Sequence, residues 1–491
     1  MSLKIISTFG DHSSLYPLAV KDVVNSLGMT AYSYQEGGKD VESKKIDAKD
    51  RFIDEFGTEA IWLGGLPFFK WLADKTIYKA KKLNPDVDIR LVGNKDQFEV
   101  AQKYAKEFSK QLNKPSILTS LTDAQKNSKL FKGLFIGKFA AATALTLASY
   151  FTLTVMKQKY TDKQVEKREL KRLAQEEQYK KHFSQNPTFK AFSLDSADAA
   201  ALNASKSKGK DPSFKGIPQL LQSFMFNPVH NMFIVDAGIT SERLSLARNK
   251  HEKMEYAIKE GSLLFFMYVA GKYVQQGIEY ISDKLFKKPI KLHVEFLASD
   301  SFKNALENNE IDKHLGVFNK IVEEAKAAKN NKPIYEFIYN EANKENLVVK
   351  AAKKSGIVKV LDESGSNPNM LQKFINIFKI NAKPEYGKVD PHQFINADDI
   401  KDLAKNIKDF AKAQKTAEAQ NAKNTVQNFL NKAKYYKVGS VVANIGISCL
   451  FLGVIVPYFM KKYKEKYYGE GSHIQESARQ RIQMNFKGNV G

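Results

Sequence analysis

The residues of this chain best placed to do chemistry are ionisable side chains inside otherwise apolar stretches. Glu59 and Lys70 interrupt FGTEAIWLGGLPFFKWLA at 56–73, and Lys138 interrupts GLFIGKFAAATALTLASYFTLTVM at 133–156. Lys259, Glu260, Lys272 and Glu279 surround an apolar centre within 256–281. A charge surrounded by lipid is costly, and where one is kept it marks a solute or proton path by default. These charges lie near segment ends, where a long side chain reaches the headgroups, so snorkelling is the cheaper account.

Other chemistry is absent from the motifs. His251-Glu252-Lys253-Met254-Glu255 begins like a zinc-protease helix but lacks the second histidine that would present two nitrogens on one face. The eight histidines, 12, 182, 230, 251, 293, 314, 392 and 473, show no ligand spacing. Gly37-Gly38-Lys39-Asp40 lacks the first glycine and the hydroxyl residue of a phosphate-cradling loop. The 362–368 segment, DESGSNP, has no closing glutamate for calcium. No Gly-x-Ser-x-Gly element occurs, and the one cysteine, Cys449, falls inside an apolar run. No catalytic residue, metal ligand or cofactor-binding residue is assigned, no cofactor is expected, and the chain does not read as an enzyme.

The elements that position these residues are membrane-helix candidates. Residues 438–460, VGSVVANIGISCLFLGVIVPYFM, carry no charge over 23 positions and have Lys437 before them and Lys461-Lys462 after. A helix of that length spans a hydrocarbon core of about 30 Å. The second strong candidate is 133–156, rich in Gly, Ala, Ser and Thr that let helices approach closely in lipid. The weaker candidates are 56–73 and 256–281, each able to form a short span, an interfacial helix or a soluble core helix. Leu63-Gly64-Gly65-Leu66-Pro67 predicts a break or kink in the first of them.

The fold class expected is a predominantly α membrane protein with minor β. Two strong and two weaker membrane helices join helical soluble regions. The organisation reads as an N-terminal α/β region at 1–130, a transmembrane helix at 133–156, and a charged helix with a flexible linker over 157–255. A weak membrane or interfacial helix follows at 256–281, then a mainly helical soluble domain at 282–437, a transmembrane helix at 438–460 and a basic flexible tail at 461–491. The linker centres on 203–215. Asn396 followed by Ala397, Asp398 and Asp399 reads as a capped helix start, with Ile400, Leu403, Ala404, Ile407, Phe410 and Ala411 on one face. That helix is expected to run almost continuously into the last membrane helix.

The arrangement recurs. Each weak segment is followed by Asp-Lys (74–75 and 283–284) and a proline. An alternating stretch then reads as a strand (87–92 and 290–297). Each ends in a strong apolar helix closed by lysines. The pattern reads as an internal duplication with halves near 1–160 and 245–470.

The net charge is +23, and Arg supplies only 8 of 77 basic residues, Lys the other 69. Lys is a hydrated point charge and Arg a bidentate reader of phosphate and bases, so an anionic lipid surface suits this balance better than nucleic acid. The membrane-flanking bases are Lys132, Lys138, Lys157, Lys159, Lys437, Lys461 and Lys462. The excess of bases after residue 156 places 157 onward in the cytoplasm, with a bacterial inner membrane the expected location. The function expected is a membrane-anchored structural or scaffolding protein, self-associating or holding a protein partner. The alternatives are a small-solute transporter or channel component, for which Glu59 and Lys138 would face each other, and a membrane tether for nucleic acid.

Overall fold

The computed structural model describes residues 15–36, 41–184, 228–247, 250–284, 287, 289–361, 387–421 and 425–467. The expected linker, the 37–40 turn, the 362–368 segment and the tail beyond residue 467 lie outside the described residues.

The described chain is helical, with no strand and one isolated bridge, Val360 to Val389. In order the first helices are α1 (Leu15–Glu36), α2 (Val41–Ala73), α3 (Ile89–Gly93), α4 (Lys95–Gln111), α5 (Ser116–Lys126), α6 (Ser128–Ser184) and α7 (Pro228–Ser245). Then come α8 (Lys250–Leu264), α9 (Gly271–Lys284), α10 (Val294–Leu297), α11 (Asp300–Glu307), α12 (Ile311–Ala327), α13 (Lys332–Tyr339) and α14 (Leu347–Ser355). The last are α15 (Ala397–Gln420), α16 (Val426–Leu450) and α17 (Val456–Tyr467). π-helical turns extend α2 (Asp74–Tyr78), join α8 to α9 (Phe265–Ala270) and join α16 to α17 (Phe451–Ile455).

Three expectations are corrected. The alternating stretches at 87–92 and 290–297 are not strands, so the minor β, and the α/β label for 1–130, give way to helix. The Asp88 side chain accepts from the Arg90 N–H to start α3, and His293 accepts from the Glu295 N–H to start α10. A local cap closes a helical turn without a partner strand, which these stretches lack. Gly64-Gly65 and Pro67 do not break α2, which is continuous from 41 to 73. Gly65 seats the Thr146 methyl of α6, and Pro67 lies on the exposed face. Finally, α15 and α16 are separate helices: α15 ends at Gln420, and Thr425 caps α16 by accepting from the Asn428 N–H.

Two bodies share the chain. The first is a bundle of α1, α2, α6, α7, the α8–α9 rod and the α16–α17 rod. Contacts rank these helices along one axis. Lys138 meets Asp74 at 2.7 Å and Lys437 meets Glu279 at 3.3 Å at one end. Below them Asn444 donates to Gln275 (3.0 Å), and the Phe266 and Phe451 rings stack at 4.5 Å between the two π turns. At the other end Lys157 meets Asp54 at 3.1 Å, and Met460 packs near Ile258. The uncharged stretches of α6 and α16–α17 therefore lie beside the middles of α2 and α8–α9, at one level. From 138 to 157 the rise is about 28 Å.

The second body stands at the Lys138 and Lys437 end. Its apolar core joins residues 78–131 to 292–433, so α3–α5 and α10–α15 form one unit with the first turns of α16. Asn396 caps α15 as its sequence implies, and Ile400, Leu403, Ala404, Ile407, Phe410 and Ala411 are buried. Burial of such a face stabilises each aliphatic or aromatic side chain by about 1.5–3 kcal/mol.

Candidate functional site

The centre of the bundle is polar. On α2 the residues Asp47, Asp50, Arg51, Asp54, Glu55 and Glu59 recur at three- and four-residue spacings, and all are buried. A helix face of that kind needs partners of opposite charge, because each unpaired buried ion costs several kcal/mol.

The partners come from three helices. From α6, Lys157 reaches Asp54 (3.1 Å) and Asp50 (3.5 Å), and Thr161 donates to Asp50 at 2.6 Å. From α7, Arg243 pairs with Asp54 at 3.2 Å, donates to Thr58 at 2.9 Å and binds Glu260. From α8, Lys259 donates to Glu55 at 2.5 Å and lies 3.0 Å from Glu260, while Glu255 faces Arg51 at 3.9 Å. Arg51 also donates to Ser33 of α1. The Lys259 side chain is 0% exposed, so this ion pair is fully enclosed.

Closer to the middle of the apolar level the bases run out. Asp236 of α7 accepts from the Tyr268 hydroxyl. Asp22 of α1, Glu59 of α2 and Asp236 of α7 stand within four residues of Leu18, Trp62 and Val235, which share one buried cluster with Tyr150. No ion pair involves Asp22, Glu59 or Asp236 among the described residues. A third polar group runs along α9 and α16: Lys21 donates to Asn444, Asn444 to Gln275, and Lys437 pairs with Glu279.

The flanking bases divide. Lys132, Lys159, Lys461 and Lys462 are exposed. Lys138, Lys157 and Lys437 turn inward to carboxylates on neighbouring helices. Glu59 and Lys138 do not meet: Lys138 takes Asp74 and lies over the Tyr78 ring. Lys70 lies over the Phe139 ring. His251 is in α8, with Glu252 and Glu255 buried on the face turned toward the bundle. Among the described residues no three His, Cys, Asp or Glu side chains are grouped as a metal ion requires.

A second constellation lies in the other body. His392 places Nδ1 2.8 Å from Asp390 Oδ1 and Nε2 2.7 Å from Ser120 Oγ. The order resembles a nucleophilic triad, yet its hydrogen bonds run the wrong way. His392 Nε2 also faces the Ile117 carbonyl at 3.1 Å, which can only accept, and Ser120 Oγ donates to the Ser116 carbonyl at 2.7 Å. With Nε2 turned to a carbonyl that can only accept, that nitrogen donates and offers no lone pair to take the serine proton. The set is a clamp between α5 and the segment before α15. Burial pushes the Asp390 carboxyl up, but hydrogen bonds from the His392 side chain and backbone outweigh it and hold it below the usual carboxylate range.

Sequence reasoning singled out Glu59, Lys138, Lys259 and Glu260 but passed over Asp22, Asp54, Asp236 and Arg243. The signal available was the helical spacing of charges over 47–59, which reads equally well as a solvated face.

Compared with protein-family models, curated proteins and solved structures, the chain matches none of them.

Proposed function

We propose that this is an integral membrane protein built from two repeated halves, whose interface forms a polar path for a small solute. It is read as a transporter or channel component. Two helices are long and apolar enough to cross a membrane, and only 22% of each apolar window is buried within the protein. The remainder turns Ile136, Leu145, Phe151, Leu450, Val454 and Phe459 outward. The neighbours expose Leu27, Phe68, Phe265 and Val269, so the apolar surface extends over α1, α2 and the α8–α9 rod.

The repeat is supported by topology, with the second half beginning at α7, ahead of the residue 245 expected from the sequence. Each half runs a first helix (α1, α7), a long second helix in the opposite direction (α2, α8–α9), an excursion into the second body and a long return helix (α6, α16–α17). Each half has an ion pair at that end, Asp74 with Lys138 and Glu279 with Lys437, the latter using a carboxylate four residues before the Asp283 that the sequence repeat matches to Asp74.

One observation carries the reading. Arg51 meets Glu255 and Glu55 meets Lys259, and both pairs join positions 204 residues apart, one from each half. The shared offset means that α2 and α8 run parallel, and a repeat whose second helices lie side by side in parallel turns about an axis along the bundle. Transporters made of parallel repeats hold their solute sites at such an interface near the bilayer midplane. Well-packed leucines often serve a structural anchor at less cost than enclosed ions.

The membrane-anchored scaffold is the second reading. It is supported by the helical body at one end of the bundle, which would be held at an anionic surface by lysines. The positive charge after 156 favours placing that body on the side away from the cytoplasm.

The test has two parts. With Cys449 replaced by alanine, single cysteines at Lys163 and Lys344 are labelled by an impermeant reagent, each from one side of the membrane only, if the bundle spans. Purified protein in liposomes then dissipates a proton or cation gradient if it transports. Labelling of both cysteines from one side sinks the spanning arrangement. Tight liposomes with correctly inserted protein leave the scaffold reading in its place.

A further inference from the structure

Asp22, Glu59 and Asp236 come from three helices and both halves of the chain, yet share one region of the bundle interior. Leu18, Trp62, Tyr150, Val235 and Met267 pack into one buried cluster, and each of the three carboxylates stands within four residues of a member of it. Glu59 and Asp236 are 5% and 7% exposed, and Asp22 is partly buried. The charges facing them are few. α2 adds Glu55, α8 adds Lys259 and Glu260, and α7 adds Arg243. Lys259 and Arg243 are already taken by Glu55, Asp54 and Glu260. Three carboxylates are thus left over in a place where isolated anions cost several kcal/mol each.

A second observation points to an absent ligand. Polar atoms around the cluster lack hydrogen-bond partners: Glu59 Oε1, the Tyr150 hydroxyl, and both Oδ1 and Nδ2 of Asn25. Tyr150 is 2% exposed and shares a buried cluster with Leu18 and Val235, and Asn25 is 1% exposed one turn from Asp22. The Tyr268 hydroxyl donates to Asp236 from the π turn, where a widened helical turn offsets the side chain; such turns recur at functional sites.

We propose that the bundle interior binds protons reversibly at a site formed by Asp22, Glu59 and Asp236, with Tyr150 and Tyr268 as hydroxyl partners. A proton fits better than a metal ion. It needs one carboxyl oxygen and one acceptor, whereas a metal ion needs several oxygens around one point, which no described group provides. Protonation turns an acceptor-only carboxylate into a donor. Glu59 Oε1 then has a hydrogen to give, and the excess charge falls. The inference rests on the transport reading and names the proton as its solute.

The experiment is an infrared pH titration of full-length protein in detergent. A protonated-carboxyl band is expected at neutral pH, declining as pH rises. Asp22→Asn, Glu59→Gln and Asp236→Asn should each remove part of it, the triple variant should remove it, and Tyr150→Phe should shift its frequency. Circular dichroism of each variant identifies those that fold, and the unsubstituted protein is decisive by itself. A band absent at neutral pH overturns the proposal, as does one that the carboxamides leave intact. Displacement of the band by sodium at constant pH overturns it in favour of a metal ion. The band with no liposome flux would uphold the site and sink transport. Flux without the band would do the reverse.

Discussion

Lys157 lies 3.1 Å from Asp54, with its side chain 1% exposed, directly after the apolar stretch of α6. A lysine placed to meet headgroups instead ties the end of that stretch to α2. Removing it leaves Asp54 and Asp50 buried with one base fewer.

Lys157→Ala should therefore cost about 3–5 kcal/mol, as loss of one partner of a buried pair does. Lys159→Ala, two residues on and exposed, should change stability by less than about 0.5 kcal/mol. Thermal unfolding of the two variants in the same detergent checks the contrast. Equal effects would mean that Lys157 is solvated.

The reciprocal pairs across the two halves make a charge-swap prediction. Glu55→Lys alone sets a new cation against Lys259, and Lys259→Glu alone sets an anion against Glu55. Each should destabilise strongly. The double swap should recover about 0.5–3 kcal/mol of the summed loss, the range of coupling between residues in contact. Additive losses would show that the pair does not bridge the halves.

Gly28 and Gly453 set the approach of α1 to the π turn between α16 and α17. A Cβ on Gly28 would stand 2.5 Å from the Gly453 carbonyl oxygen, a backbone atom that cannot rotate away. Gly28→Ala should cost about 1–3 kcal/mol through overpacking. Gly64→Ala meets nothing within 4 Å and replaces a helical glycine, so it should be neutral or stabilising. A lowered melting temperature for Gly28→Ala beside an unchanged or raised one for Gly64→Ala would confirm both.

Asp390 gives a pH dependence for the second body. Its folded carboxyl titrates below its unfolded value, so it adds stability above the ordinary carboxylate range. That contribution is lost as pH falls through the folded value. Asp390→Asn should be less stable than the unsubstituted protein at neutral pH, by about 1–3 kcal/mol. The two should converge in acid. Denaturant unfolding across pH, followed by a probe in the second body, measures the gap. Serine-directed fluorophosphonates should leave Ser120 unlabelled, since its hydroxyl proton is committed to the Ser116 carbonyl.

The two long apolar stretches and the helix starting after Asn396 were legible in the sequence. Uninterrupted apolar length and a local cap are properties of the chain next to itself. α1 and α7 were not, because Lys21 with Asp22, and Asp236, break their apolar runs. A charge inside a helix reads as a solvated face until its partners are known. The 87–92 and 290–297 stretches misled for the related reason that alternation over six to eight residues suits a strand only where a neighbouring strand exists.

Composition and hydropathy by themselves determined a lysine-rich, mainly helical chain with two helices of membrane length, and one apolar seam each for helices such as α15. Only the tertiary structure decided which ionisable residues meet. Lys157 with Asp54 spans about 100 positions, Glu55 with Lys259 spans 204, and Arg243 with Asp54 spans 189. Pairing of buried charges depends on distance and on exclusion of water, and neither is set by sequence separation.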